Sequence, residues 1–154
     1  MLKSNMNIEG RLRILKYTLN GTLVAETENH NSITVEGRRL VANLFMNKSG
    51  ENITSISHMK LGRSKDPFNA NDTNLKDPIE TKIEFKNKDT VSGEVVGDRV
   101  MVRYIGEIEK DQCNDALKEA GLFTDEGVMY NRVTFDQITK SEQFKLTLIW
   151  EITF

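Results

Sequence analysis

One cysteine, two histidines and one tryptophan are all that this chain spends on the residues most often used for chemistry or cross-linking. A single thiol, Cys113, excludes an internal disulfide framework. The two histidines, His30 and His58, have no cysteine or carboxylate at metal-ligand spacing. There is no Ser-His-Asp order, no Gly-rich phosphate loop and no CxxC pair. Nothing approaches the roughly 20 consecutive apolar residues of a membrane span. The opening MLKSNMNIEGRLR has no apolar run of signal-peptide length, so synthesis in the cytosol is expected. Nor is there an excess of one charge. With a net charge of -2 and 29% charged residues, the chain has no broad basic face for nucleic acid.

What the chain does have is alternation. Its last twelve residues read QFKLTLIWEITF. Leu146, Leu148, Trp150, Ile152 and Phe154 fall on one side of an extended strand, and Lys145, Thr147, Glu151 and Thr153 on the other. This period of two marks a half-buried strand, and it holds the only tryptophan. A length of 154 residues fits one domain, 1–154, with a core that needs no staple.

Earlier segments extend the pattern. Arg11 to Glu28 reads as a hairpin, because Asn20-Gly21 suits a type I′ turn. Thr34 can cap a helix over Val35 to Asn47, with Leu40, Val41, Leu44 and Phe45 as one apolar stripe. The narrow stripe predicts a helix lying on a sheet, with Ser49-Gly50 as its stop. Ile53 to Gly62 predicts a strand with Met59 and Leu61 on one face and His58 on the other. Arg63 to Asp77 is polar, lacks a period and predicts a long loop. Ile79 to Lys86 alternates almost ideally. Val91 to Val96, Gly97-Asp98 and Arg99 to Ile108 form a second hairpin pattern. Asp111 to Ala120 fits a short helix capped by Asp111, with Cys113, Ala116, Leu117 and Ala120 on its apolar side. Val128 to Phe135 predicts another strand. The sum is a mainly β domain, an antiparallel β-sandwich with one or two short helices packed on it.

The candidate reactive groups have simpler readings. His30 and His58 fit surface or interface positions. Asp66, Asp72 and Asp77 punctuate the long loop without the spacing of an EF-hand and suit local turns. Cys113 reads as a small buried apolar residue. Lys60, Arg63 and Lys65 are too few for a nucleic-acid patch, and Glu107, Glu109, Asp111 and Asp115 read as a solvated rim. Sequons at Asn20, Asn47, Asn52 and Asn71 read as by-products of an Asn-rich chain. No catalytic, cofactor-binding or metal-ligating residue is expected, and the chain is not expected to be an enzyme.

Three segments in order resemble small structural proteins of tailed bacteriophages, of the tail-fibre, baseplate or minor virion kind. They are Asn31 to Leu61, with VEGRRLVANLF and ISHMKLG; Leu61 to Ile79, with LGRSKDP and NDTNLKDPI; and Glu119 to Phe154, a Glu-x-Gly-Leu-Phe turn before a closing strand with Trp. Such proteins carry an extended segment before Gly-Leu-Phe, whereas ALKEAG here reads equally well as a helical turn. The resemblance implies a baseplate or fibre-associated adaptor of the virion, assembling with copies of itself and with other virion proteins. It implies no cofactor, no nucleic acid and no membrane. Two alternatives stand beside it: a head-decoration protein, and a module binding carbohydrate on a host surface. A cell-wall hydrolase using Glu107 and Glu109, which share a strand face, is the enzymatic alternative.

Overall fold

The computed structural model describes residues 8–46, 55–85 and 91–154. The chain is mainly β with a single helix among these residues. In chain order the elements are β1 (Glu9–Thr18), β2 (Leu23–Ile33), α1 (Val35–Met46), β3 (Ile56–Gly62), β4 (Ile83–Glu84), β5 (Val91–Val96), β6 (Arg99–Ile108), β7 (Ala116–Thr124), β8 (Met129–Thr139) and β9 (Phe144–Thr153). The described strands form one antiparallel sheet of nine, ordered β4-β3-β7-β8-β2-β1-β9-β6-β5.

The sheet folds on itself at β2. Gly10 to Tyr17 of β1 pair along this strand as far as Asn31, and its last two residues, Ser32 and Ile33, pair instead with β8. The two halves then face each other. Leu12, Ile14, Leu148 and Trp150 from one half share a core with Met59, Leu61, Leu122, Val133 and Phe135 from the other. At the far side, Gly106 of β6 lies so close to β3 and β4 that an added Cβ would sit 2.7 Å from the Met59 methyl. That gap is closed only because position 106 has no side chain.

The terminal strand holds the centre. It pairs with β1 from Glu9 to Thr18 and with β6 from Met101 to Ile108. Leu146, Leu148, Trp150 and Ile152 are buried as the alternation predicts, whereas Phe154, expected on the same face, lies past the end of β9 and is exposed. Trp150 is fully buried, and its indole N–H donates to Asn31 Oδ1 at 2.9 Å. Asn31 is the residue at which β2 leaves one half for the other. Gly10 lies opposite Asn31 in the β1–β2 ladder. An added Cβ at Gly10 would come within 1.9 Å of Asn31 Oδ1. Glycine there makes room for the amide that the tryptophan binds.

The two hairpins form at the expected places, but Asn20-Gly21 is not a type I′ turn: only Gly21 takes positive φ, and four residues, 19–22, connect β1 to β2. Gly21 and Gly97 take positive φ, +88° and +64°. The Thr34 hydroxyl accepts from the Gly37 N–H at 2.9 Å, capping α1, and donates to the Met129 carbonyl at 2.7 Å, tying the cap to β8. Gly37 packs against the Tyr130 backbone with no room for a side chain. Leu40 and Val41 cover the core, as the stripe predicts, whereas Leu44 and Phe45 remain exposed. Asn47 and the expected stop at Ser49-Gly50 lie outside the described residues, as do Ile53, Thr54 and Lys86.

The expected helix over 111–120 is not formed. Residues 109–115 make a loop closed by side chains: Gln112 Oε1 accepts from the Glu109 N–H, and Asn114 Nδ2 donates to the Lys110 carbonyl. These local bonds compete with the helical ladder. Ala116 onward is then β7, paired on both sides. The segment Ile79 to Lys86 is less regular than its alternation predicts. Only Ile83–Glu84 form a strand, although the Ile79 N–H donates to the Leu61 carbonyl and Phe85 to that of Ser57.

Candidate functional site

Three arrangements concentrate polar or apolar groups. The first is a buried ion pair under the long loop. Glu119 of β7 and Arg132 of β8 are fully buried, with Arg132 Nε donating to Glu119 Oε2 at 2.8 Å. The carboxylate also accepts from three loop N–H groups: Asp77 at 2.8 Å, Lys76 at 3.0 Å and Ser64 at 3.4 Å. Arg132 reaches further, donating from Nη1 to the Asp66 carbonyl at 2.9 Å. Asp72 is buried beside it, with Oδ2 accepting from the Asn69 N–H at 3.0 Å and Oδ1 held by Lys76 Nζ at 2.8 Å. Burial pushes the Asp72 carboxyl up, and its bonds from Lys76 and Asn69 outweigh this and leave it below the ordinary range. The loop 63–77 is therefore fixed by charge from beneath rather than by apolar packing alone. Sequence reasoning missed Glu119 as a site residue. The available signal was one acid followed by Ala-Gly-Leu-Phe.

The second is a charged ladder on the outer face. Glu151 of β9 is buried between Arg11 of β1 at 2.5 Å and Arg103 of β6 at 2.8 Å. Burial pushes its carboxyl up, but hydrogen bonds from Arg103 and Arg11, with their charges, more than offset this and hold it low. A depressed folded-state value stabilises the fold above the unfolded value, ordinarily 4.5, and that contribution is lost as pH falls through the folded value. Both guanidinium groups are more than a third exposed, so solvent screening keeps the effect small. Glu151→Gln is expected to cost about 1–2 kcal/mol at pH 7. Below pH 4.5 the wild-type advantage should shrink, as urea titrations at pH 7 and pH 3 would show.

The third is apolar. Val95 of β5 is 73% exposed and Phe45 of α1 is 82% exposed. Between them, Val100 pairs with Val95 on one side and exchanges backbone bonds with Phe154 on the other. Phe154 and Leu44 in turn line one pocket. A strip of exposed apolar residues thus runs from the β5 edge across β6 and the end of β9 to α1. The pocket holds about 270 Å³ between α1 and the sheet, and Tyr104, Tyr130 and Ile152 form its floor. Tyr130 is 3% exposed, and its hydroxyl has no hydrogen-bond partner among the described residues.

The residues singled out by the sequence are not brought together. His30 is exposed on β2 opposite Arg11. His58 is buried, not at the surface: its ring stacks on Phe123 at 5.6 Å, and Nδ1 lies 2.8 Å from Ser57 Oγ. Burial, with the Lys82 and Lys60 charges, pushes its imidazole down. Asp66, Asp72 and Asp77 serve different partners, and among the described residues no group of three or more His, Cys, Asp or Glu side chains is placed to hold a metal ion. Cys113 is buried as expected; burial pushes its thiol up, which disfavours the thiolate. Lys60 pairs with Glu80, Arg63 with Asp115 and Lys65 with Asp136, so they form no basic patch. Glu107 and Glu109 are exposed on the rim of an open cleft, and Glu109 pairs with Lys145 at 2.8 Å. No described helix is long and apolar enough to cross a membrane.

The fold defines a mainly β domain with one helix on its sheet. No family model, curated protein or solved structure matches the chain.

Proposed function

We propose that this chain is a structural component of a tailed-phage virion, a baseplate or fibre-associated adaptor that works by homo-oligomeric assembly. The observation that carries the assembly reading is the apolar strip bordering β5. An edge strand presents a row of backbone donors and acceptors, and sheets usually blunt it with charge or shortness. The opposite edge, β4, has two residues, and the diverging part of β2 carries Glu26 and Glu28. β5, by contrast, runs SGEVV over 92–96, with its own Val95 and Val96 exposed and exposed Val100 beside them on β6. A two-fold pairing of β5 strands with Gly93 opposite Gly93 would set Glu94 beside Ser92 and keep like charges apart. The virion context rests on the ordered resemblance of three segments, and head decoration is the alternative location.

Light scattering should give a mass above the 17.6 kDa of one chain, and Val95→Glu should reduce it to one chain without changing the circular dichroism. Labelled electron microscopy of purified particles should place the protein on the tail or its baseplate. Absence from particles would defeat the virion reading. A wild-type monomer at high concentration, also found as single copies on particles, would defeat the homo-oligomeric one. The carbohydrate reading has less support, because the one tryptophan, Trp150, is buried, as is Tyr130, and Tyr17 and Tyr104 are only partly exposed.

A further inference from the structure

We propose that His58 is an acid-sensitive latch: when its imidazole takes up a second proton, β4 and the segment 79–85 around it open away from β3. The ring is 2% exposed and lies nearly parallel to Phe123 of β7, with centroids 5.6 Å apart. Its Nδ1 sits 2.8 Å from the Ser57 hydroxyl, which in turn donates to the Phe123 carbonyl at 3.4 Å. This arrangement assigns the one proton of the neutral ring to Nδ1. Nε2 is buried and has no hydrogen-bond partner among the described residues. In the neutral ring it is one unused acceptor. In the cation it becomes a second N–H, a buried donor with nothing to receive it.

The neighbouring charges do not rescue the cation. Lys60 lies two residues along β3, with its ammonium 5.5 Å from the centre of the same Phe123 ring and paired with Glu80. Lys82 stands on the segment opposite. Glu84, which faces His58 in the ladder, and Asp125, just past β7, attract a charged ring. Burial, with Lys82 and Lys60, outweighs them and pushes the imidazole below its ordinary 6.5. A depressed folded value stabilises the closed edge fully above 6.5, and that contribution is lost as pH falls from 6.5 through the folded value. The opening falls at β4 because that side of β3 is held least. β7 pairs with β3 from Ile56 to Gly62, whereas the β3–β4 ladder has two pairs, flanked by backbone bonds from Ile79 to Leu61 and from Phe85 to Ser57. Ile83 anchors β4 in the core, so the open form is a minor state of the kind that hydrogen exchange detects. An open β3 edge is a second place where a strand of another chain can add.

Hydrogen exchange of the ¹⁵N-labelled full chain, corrected for the intrinsic rate at each pH, is the test. Between pH 7 and pH 5 the Ile79 and Phe85 amides should lose protection about tenfold, while the amides of the β1–β9 ladder hold theirs. His58→Phe keeps a ring against Phe123 and takes up no proton, so it should hold its protection at pH 5. His30→Phe, at the exposed histidine, should behave as the wild type. The His58 imidazole, followed in the wild type through its Cε1–H resonance, should titrate below 6.5, a readout that needs no variant to fold. The proposal is overturned if Ile79 and Phe85 keep their protection at pH 5, if the β1–β9 amides lose theirs equally, if His58→Phe loses protection as the wild type does, or if the imidazole titrates at or above 6.5.

Discussion

Glu119→Ala is expected to cost about 3–5 kcal/mol, because it leaves buried Arg132 without its hydrogen-bonded carboxylate and with only Asp72, at 3.7 Å, as an ion-pair partner. That is a large part of the roughly 5–15 kcal/mol that holds a typical domain together. The converse change, Arg132→Met, should cost less. Glu119 would still accept from the N–H groups of Asp77, Lys76 and Ser64, so its charge would keep three donors. Replacing both partners by Leu and Met should recover much of the loss, since a buried pair contributes little net stability against a well-packed apolar substitute. Urea denaturation of the three variants checks this ranking. Hydrogen exchange adds a local readout: the Lys76 and Asp77 amides should lose protection in Glu119→Ala and retain most of it in Arg132→Met. Equal loss in the two single variants would mean that the carboxylate does not anchor the loop.

Trp150→Ala should cost a similar amount, about 3–5 kcal/mol, for a different reason. It opens a cavity at the centre of the sheet and strands Asn31 Oδ1 at the corner where β2 changes halves. Trp150→Phe separates these effects. It keeps most of the ring volume and removes the N–H, so about 1–3 kcal/mol should remain. Adding Asn31→Ala to Trp150→Phe should then cost less than Asn31→Ala does alone in the wild type, because the partner has already gone. Denaturant midpoints of the four proteins give the coupling. If Trp150→Ala moved the midpoint by less than a tenth of these amounts, the burial of Trp150 would be refuted.

The elements that announced themselves were those with one wet face. The terminal strand and α1 with its Thr34 cap alternate or cycle because one side meets solvent. The 91–108 hairpin alternates in sequence as well, but the buried face expected of Val100, Val102, Tyr104 and Ile108 is only partly formed: residues 92–96 and Val100 are exposed, and Ile108 is buried. The strand that did not announce itself is β7. Leu117 and each residue from Glu119 to Thr124 are buried, so no period of two can appear. Its Ala, Leu, Lys and Glu favour helix by intrinsic propensity, and pairing with β3 and β8 overrides that preference. The same burial hid the polar centre. Glu119 and Arg132 look like ordinary charged residues in isolation. Only the fold brings them under residues 63–77, so the long loop was legible and its anchor was not. Glu151 misled in the same way: alternation assigned it to solvent, but two arginines on neighbouring strands cover it. The apolar strip and the Tyr130 pocket depend on which parts of each half the other leaves uncovered. No local pattern encodes that.

Placing β9 between β1 and β6 also has a kinetic consequence. Its ladder sets Glu9 opposite Thr153, a contact that must close a loop of nearly the whole chain. Hairpins such as β5–β6 and β7–β8 can form from near neighbours, but this pairing cannot. Proteins dominated by such non-local contacts fold in roughly milliseconds to seconds. Until β9 docks, β1 and β6 each present an open edge beside apolar side chains. The slowest stage of folding is thus also the stage with the most strand edge available to other chains, and crowding by copies of itself is the hazard to which this topology is most open.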